Sequence, residues 1–176
     1  MNNIEYPLLN AEQADLARGE LLDVLNSCVA TGASVGFISI DPAPMVNFWE
    51  AVISSLASGE KQLLVARQQG KIVATVILVL GMMPNGSHRA EIAKLLVHPS
   101  ARRQGIAHEL LKRAEQLARQ AGRSLLVLDT RTGDVAEQLY LAQGWQISGQ
   151  IPAYALSPGG VMDATTVMYK FLTPGE

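Results

Sequence analysis

Residues 97–107 read Val97-His98-Pro99-Ser100-Ala101-Arg102-Arg103-Gln104-Gly105-Ile106-Ala107, and they join an apolar segment to an amphipathic one. A loop between a strand and a helix gathers free backbone N–H groups and the positive end of the helix dipole at one point, which suits an anion. Gly105 lets a phosphate approach the backbone without a Cβ in the way, and Arg102 and Arg103 add positive charge. The stretch therefore predicts a pyrophosphate-binding turn, although a solvated turn would show the same residues.

The segments on either side of this loop indicate a strand–helix–strand unit. Residues 90–97 form an apolar run typical of a strand. Apolar residues then recur at helical spacing, at Ile106, Leu110, Ala114, Leu117 and Ala121. Residues 124–129 form a second apolar run, and two strands joined through a helix are expected to be parallel with a right-handed crossover.

The rest of the chain predicts further helices and strands around that unit. We expect helices over residues 11–30, from Asp41 to Gly59, and from Asp134 to Gly144, where Asp134 and Glu137 resemble a capping box. We expect strands at 63–67 and 71–80 as a hairpin, and two final strands at 145–151 and 165–172, with a turn at Asn85-Gly86. The prediction is one domain over residues 1–176, with a mixed sheet flanked by helices.

The composition excludes several classes of function. The 176 residues carry a net charge of -2, and the pI is about 5.9, so a broad nucleic-acid-binding face is not expected. Cys28 is the only cysteine, and the three histidines have no metal-ligand spacing, so we expect neither a disulfide nor a metal. The longest apolar run, residues 72–80, is too short to span a membrane, and the start lacks a signal peptide; we expect no membrane partner and a cytoplasmic protein.

These motifs together resemble the GNAT superfamily of acetyl-CoA-dependent N-acetyltransferases, over nearly the whole chain. The resemblance implies an α/β fold (α+β by some schemes), with a mixed, mostly antiparallel sheet of six to seven strands, a central parallel βαβ unit and about four helices. Within the superfamily, Gly32-Ala33-Ser34-Val35-Gly36-Phe37, Ala90-Glu91, Leu128-Asp129-Thr130 and Val135-Ala136-Glu137 are similar to tabtoxin-resistance acetyltransferases. Acetyl-CoA is the implied cosubstrate.

The resemblance also assigns residues to the cosubstrate. It implies that the backbone of Leu95, Leu96 and Val97 lies in a strand that splays from its neighbour, where it binds the pantetheine arm and polarises the acetyl carbonyl. The pyrophosphate would be held mostly through backbone N–H groups of six consecutive residues: Arg102, Arg103, Gln104, Gly105, Ile106 and Ala107. Tyr140 stands where the family places the acid that protonates the departing thiolate, a role that a lowered tyrosine pKa would favour. Many relatives carry an asparagine where this chain has Gly133, and at this cosubstrate contact the chain departs from the family pattern.

Acetyl transfer to an amine also needs a group that takes the ammonium proton. Glu91 lies inside a predicted strand, where Glu is uncommon, and strict alternation places it on the same face as Leu95 and Val97, so it is one candidate base. Asp129 ends the next parallel strand, at the sheet edge where such folds bind ligands, and could hold the amine or share this role. A charge exposed to solvent on a strand face or at a strand end explains Glu91 and Asp129 equally well.

Phe37 and Trp49 are weaker candidates for the acceptor pocket, since core packing explains both aromatic residues better. The pattern Gly32-x-Ser34-x-Gly36 matches a nucleophile elbow, but that motif requires a preceding strand, and here a helix is predicted.

The predicted function is direct transfer of an acetyl group from acetyl-CoA to a small-molecule amine, such as a toxin or antibiotic. A non-catalytic acyl-CoA sensor and a tRNA- or protein-modifying acetyltransferase are the alternatives. A homodimer is expected by analogy with the family.

Overall fold

The computed structural model of the chain describes residues 3–173. Within that range the α-helices are α1 (Ala11–Leu16), α2 (Arg18–Ala30), α3 (Pro42–Ser58), α4 (Ile106–Gln120) and α5 (Val135–Ala142). The strands are β1 (Ile4–Glu5), β2 (Leu8–Leu9), β3 (Lys61–Gln68), β4 (Lys71–Val79), β5 (Arg89–Val97), β6 (Leu125–Arg131), β7 (Gln146–Leu156) and β8 (Met162–Phe171). Short 3-10 helices cover Pro84–Gly86 and Pro99–Ala101.

All the strands belong to one sheet, in the order β1-β3-β4-β5-β6-β8-β7, with β2 also paired to β3. The pair β5–β6 is parallel, and the other pairs are antiparallel. The helix α4 connects the two parallel strands, so the predicted strand–helix–strand unit and the mixed sheet are confirmed. The sheet has 8 strands, more than expected, because two-residue segments at the start of the chain pair with β3.

Helices cover both faces of the sheet, because its strands present apolar side chains alternately to the two sides. On one face α1, α2 and α3 pack through residues such as Leu21, Met45 and Val52. On the other, α4 and α5 pack through residues such as Leu110 and Tyr140. These two layers are called here the α1–α3 face and the α4–α5 face.

Several local predictions differ from the structure. The helix expected over residues 11–30 is broken at Ala17, whose φ of -99° and ψ of 12° end α1 and begin α2. The capping box at α5 is wrong: Asp134 makes no side-chain cap, because its carboxylate accepts a hydrogen bond from Arg131 Nε at 2.9 Å. Glu137 instead accepts from the N–H of Gly133 at 2.8 Å. The predicted start of α3 is confirmed, since the Asp41 side chain accepts from Ala43 N at 3.1 Å.

No helix within residues 3–173 combines the length and the apolar character needed to cross a bilayer.

Candidate active site

The two parallel strands separate shortly after they begin to pair. Their register contains only Arg89–Leu125, Ala90–Leu126 and Glu91–Val127, although β5 continues to Val97 and β6 to Arg131. The other edge of β5 stays paired with β4 up to Val97. A wedge-shaped gap therefore opens in the middle of the sheet, and the backbone of residues 92–97 that faces it pairs with no other described strand. The three residues expected to face a splay, Leu95, Leu96 and Val97, lie along this gap.

A β-bulge in β5 changes which side chains share a face. The register with β4 shifts between Thr75 and Ile77, and Lys94 opposite the shift has a φ of +51°. The hydroxyl of Thr75 donates to the carbonyl oxygen of Lys94 at 2.9 Å. Before the bulge, Ala93 lies on the α1–α3 face, whereas Leu95 and Val97 after it pack on the α4–α5 face.

Glu91 precedes the bulge and pairs in register with Val79, which packs on the α1–α3 face. The prediction that Glu91 shares a face with Leu95 and Val97 is therefore wrong, because the extra residue of the bulge reverses the alternation.

The loop before α4 presents free backbone donors to solvent. Gly105 is the N-cap of α4 with a φ of 74°, and no side chain caps this helix end. The first helical hydrogen bond here runs from Glu109 N to Gly105 O at 3.1 Å. In the described part of the chain, the N–H groups of Gly105, Ile106 and Ala107 donate to no partner. A Cβ built on Gly105 would meet nothing within 4 Å, so the space in front of the loop is open.

The side chains of the loop have separate surroundings. Arg102 and Arg103 are exposed, and Arg102 Nη2 donates to Thr31 Oγ1 at 3.4 Å. Gln104 Oε1 accepts from Gln68 Nε2 at 2.9 Å. Ile106 is only 2% exposed, so it anchors the helix in the core while its N–H faces the loop. Two arginines and three free N–H groups thus belong to one short loop at a helix start, which is the composition expected for a diphosphate site.

Two carboxylates lie on the α1–α3 face beside the gap. Glu91 is half-buried, and Asp129 is exposed and lies two residues beyond Val127, the last residue of β6 that pairs with β5. Burial raises the pKa of Glu91, and the nearby charge of Asp129 raises this pKa further. Thr165 Oγ1 donates to Asp129 Oδ2 at 2.8 Å, which orients that carboxylate. A carboxylate with a raised pKa is a better acceptor for an ammonium proton than an ordinary one.

Tyr140 lies on the other side of the sheet, on α5. Its side chain is 6% exposed, and its ring centroid is 5.6 Å from that of Trp145. Burial is the main cause that raises the Tyr140 pKa well above its ordinary value, with a smaller contribution from the charge of Asp129. The shift is opposite to the lowered pKa that would favour an acid, so Tyr140 stays protonated and able to donate.

The predicted acceptor-pocket aromatics have different surroundings. Trp49 is 2% exposed and packs in the α1–α3 core, as the alternative explanation of core packing requires. It also lines a cavity of about 200 Å³ with Leu22 and Val46, between α2 and α3. Phe37 is half-buried, and its ring meets that of Phe48 edge-on at 5.9 Å. Phe48, which the sequence analysis missed, holds the Nζ of Lys94 5.2 Å from its ring centroid.

Lys94 is a second residue that the sequence analysis missed. Burial lowers the pKa of Lys94, and the nearby carboxylates of Glu91 and Asp129 partly offset this by raising it. The charge of Lys94 in turn lowers the pKa of Glu91. The signal in the sequence was a lysine inside an apolar strand, three residues after Glu91. Apolar flanks around a charged residue are also seen on solvated strand faces, so the pattern was ambiguous.

Arg131 joins the loop between α2 and α3 to the end of β6. Its Nη1 donates to the carbonyl oxygen of Gly32 at 2.9 Å, and its Nε pairs with Asp134. The carboxylate of Asp163, the second residue of β8, lies 3.7 Å from the same Nη1.

The predicted absence of a nucleophile elbow concerns Ser34. In this described segment Ser34 follows a helix and no strand precedes it, so the geometry of that motif is absent. Within residues 3–173, no three His, Cys, Asp or Glu side chains converge as metal ligands.

Comparison with known proteins gives a consistent result. The sequence model of the acetyltransferase (GNAT) family matches residues 39–145. An IAA acetyltransferase of Azospirillum brasilense is 32% identical over 107 residues, which are 60% of this chain and 68% of that protein. A Salmonella typhimurium protein solved with its cofactor acetyl-CoA superposes with a TM-score of 0.76 at 18% identity, covering 99% of this chain and 96% of its own. A protein provisionally named a phosphinothricin N-acetyltransferase gives 0.76 at 17% identity, covering 97% and 99%.

Proposed function

The chain belongs to the GNAT acetyltransferase family, and we propose that it transfers the acetyl group of acetyl-CoA directly to the amine of a small molecule. The observation that carries this proposal is the gap between β5 and β6. It opens after Glu91, beside the free N–H groups of the α4 loop at one end and the carboxylates of Glu91 and Asp129 on one face. A thioester, a diphosphate and an ammonium group each find chemically matched groups around this one opening.

The cosubstrate side of the proposal uses the backbone. Residues 102–107 bind the pyrophosphate of acetyl-CoA, mostly through backbone N–H groups, and the guanidinium groups of Arg102 and Arg103 add positive charge. The unpaired backbone of Leu95, Leu96 and Val97 binds the pantetheine arm, and its N–H groups stabilise the oxyanion that forms on the acetyl carbonyl. Gly133 has no side chain for the contact that an asparagine makes in many relatives, and its N–H donates to Glu137.

The acceptor side supplies the proton transfers. Asp129 binds the ammonium form of the acceptor, and Glu91 removes its proton, directly or through water. The neutral amine then attacks the thioester carbon, a C–N bond forms, and the C–S bond breaks. The nitrogen still carries one proton too many after the attack and loses it to water, while Tyr140 donates its own proton to the departing thiolate and regains one from solvent. Tyr140 is protonated at neutral pH, and its raised pKa makes the transfer to the thiolate less favourable than it would be from an ordinary tyrosine.

A thiol-release assay with acetyl-CoA tests this function across amines, amino acids, aminoglycosides and β-lactam-like toxins. We expect release that depends on an acceptor and on Glu91. Binding of acetyl-CoA with no release for any acceptor would contradict the proposal and favour a non-catalytic sensor. Release only with charged tRNA or with a protein N-terminus would favour the macromolecular acceptors. The similarity of residues 32–37 to tabtoxin-resistance acetyltransferases supports placing antimetabolite toxins first in the panel.

A homodimer stays a prediction of the family resemblance. The edge strand β7 is largely exposed along its 11 residues, with Ile147, Ile151, Tyr154 and Leu156 between 44% and 53% exposed. We propose this strand as the contact, because an apolar sheet edge is the surface most prone to pair with another copy. Light scattering of the chain and of Ile151→Lys tests it; an unchanged dimer, or a monomer from the start, would contradict this contact.

A further inference from the structure

Among the described residues Lys94 forms no ion pair at the candidate acceptor site, although the charges of Glu91 and Asp129 act on it. It is half-buried, and within the described residues no carboxylate lies within 4.0 Å of its Nζ. Its nearest specific contact is the ring of Phe48, 5.2 Å away at the centroid. An ammonium group removed from water without an ion pair is costly, so an anion in contact with Lys94 Nζ would stabilise it further.

The bulge places Lys94 among the groups proposed to handle the amine. An extra residue in β5 turns the Lys94 side chain toward α3, on the face that carries Glu91 and Asp129. The left-handed backbone of Lys94, with its φ of +51°, is an uncommon conformation for a residue with a side chain, and the Thr75 hydroxyl supports it through the Lys94 carbonyl. Residues held in such conformations cluster at functional sites.

Other cations near the site are less available for a ligand. Arg131 is engaged by Asp134 and by the carbonyl of Gly32. Lys61 lies on the same cross-strand row as Glu91, through Val79, about 10 Å away along the sheet. Its charge makes only the smallest contribution to the pKa of Glu91 and of Lys94. Lys94 is thus the cation best placed beside both carboxylates.

We propose that Lys94 binds an anionic group of the acceptor, so that the acceptor is a small amine that also carries a carboxylate or phosphonate. The ammonium group of such a zwitterion lies toward Glu91 and Asp129, its anion toward Lys94, and its body against Phe37 and Phe48. A polycationic amine is disfavoured at the same site, because Lys94 repels its further charges. This inference rests on the proposed function and names the substrate class of the same site.

The experiment compares each amino acid with its carboxamide, which keeps the amine and removes the anion, and with the matching 1-aminoalkylphosphonate. The amide lowers the pKa of its ammonium group, so intrinsic reactivity favours the amide and any preference for the acid comes from the protein. With the wild-type chain we expect kcat/KM to be about tenfold or more higher for the best acid than for its amide. If kcat/KM is higher for the aminoalkylphosphonate than for the matching amino acid, the anionic group that Lys94 prefers is the phosphonate.

The variant Lys94→Met should remove most of this preference by lowering kcat/KM for the acid about tenfold more than for the amide. Both acceptors are compared on the high-pH plateau of each variant, because loss of the Lys94 charge also raises the Glu91 pKa. Lys94→Arg should retain part of it. Lys61→Met is the matched control, since it removes one positive charge two strands away, and it should leave the acid-to-amide ratio unchanged. Equal rates for acid and amide in the wild type would overturn the proposal. So would an equal loss on both acceptors in Lys94→Met, or a similar loss of preference in Lys61→Met.

A binding measurement separates this proposal from the proposed function. Benzoate, which has an anion and a ring but no amine, should raise the melting temperature of the CoA-bound wild type more than benzamide does, and it should not stabilise Lys94→Met. If benzoate stabilises the wild type in this way but no acceptor gives thiol release, the anion site is supported and the proposed acetyl transfer is contradicted. Thiol release without any stabilisation by benzoate and without an acid preference would overturn the anion site alone.

Discussion

The hydroxyl of Thr165 donates a 2.8 Å hydrogen bond to Oδ2 of Asp129, and this bond fixes a charge between the two sides of the site. The Asp129 carboxylate raises the pKa of Glu91 on one side of the sheet and of Tyr140 on the other. Thr165 belongs to β8, which pairs with β6. In that register Asp129 lies opposite Val167, two residues after Thr165 in β8. One carboxylate thus links the group proposed to accept the first proton with the group proposed to donate the last.

The pH dependence of turnover should report the environment of Glu91. Since only its carboxylate form accepts a proton, kcat/KM should rise with pH through the Glu91 pKa, which burial and Asp129 place above the ordinary value for Glu. Asp129→Asn removes the like charge, so it should lower that pKa and move the rise to lower pH. Rate profiles from pH 4 to 9 are the measurement.

A matched control for this shift is Thr165→Val, which removes the hydrogen bond but keeps the Asp129 charge and should leave the rise near its original pH. Glu91→Gln should abolish the rise and lower the plateau about 10²- to 10⁴-fold. A profile that is the same in wild type and Asp129→Asn would show that Glu91 is not the titrating base.

Tyr140→Phe should slow the chemical step while leaving the affinity for acetyl-CoA nearly unchanged. Removing a general acid typically lowers the rate about 10²-fold or more. The Tyr140 hydroxyl donates to no other described side chain, and the ring packing with Trp145 survives in Phe, so the melting temperature should stay close to that of the wild type. Single-turnover kinetics and thermal melting together test this; a full rate in the variant would remove Tyr140 from the mechanism.

Gly105→Ala should weaken the binding of acetyl-CoA more than it destabilises the fold. A left-handed φ of 74° costs a residue with a Cβ about 1 kcal/mol, and a Cβ there also points into the open space in front of the loop. Loss of one charge-assisted hydrogen bond to a phosphate predicts an increase in Kd of about tenfold, measurable by calorimetry.

The other end of α4 offers the control for Gly105. Gly122 has a φ of 76° and no atom within 4 Å of a built Cβ, so Gly122→Ala carries the same backbone cost without the phosphate contact. Equal effects of the two substitutions on the acetyl-CoA Kd would mean that the loop does not contact the pyrophosphate.

Arg102→Ala and Arg103→Ala should each raise the Kd of acetyl-CoA and make it less sensitive to salt. Both side chains are exposed, so their attraction for phosphate is screened as ionic strength rises. Titrations at low and high salt measure the slope. Arg119→Ala, in the last turn of α4, removes the same charge at the opposite helix end and should leave the slope unchanged.

Much of the fold follows from local pattern. The α3 start at Asp41 and Pro42, the β3–β4 hairpin and the helix from Ile106 are set by capping, turn and periodicity signals that residues nearby in sequence carry. The break at Ala17 carries no such signal, since alanine favours helix, and it depends on how α1 and α2 pack against α3. The short strands β1 and β2 likewise depend on the edge of β3, which residues far along the chain provide.

The candidate site was less predictable because it depends on one inserted residue. Simple alternation along β5 gives the wrong face for Glu91 relative to Leu95, since the bulge at Lys94 is made against β4 and is invisible in β5 alone. The same bulge directs Lys94 toward Phe48. The Tyr140 pKa was also beyond sequence reasoning, because it is set by burial and by a charge on another strand.

The wedge between β5 and β6 divides the sheet into two half-sheets that are joined by only three rungs, from Arg89–Leu125 to Glu91–Val127. Such a joint resembles a hinge, and a ligand that fills the wedge braces both halves at once. Occupancy of the site and rigidity of the whole sheet are therefore one coupled equilibrium. The amides of residues 92–97 and 128–131 should gain protection from hydrogen exchange together when the wedge is filled, as though the ligand supplied the rungs that the sheet lacks.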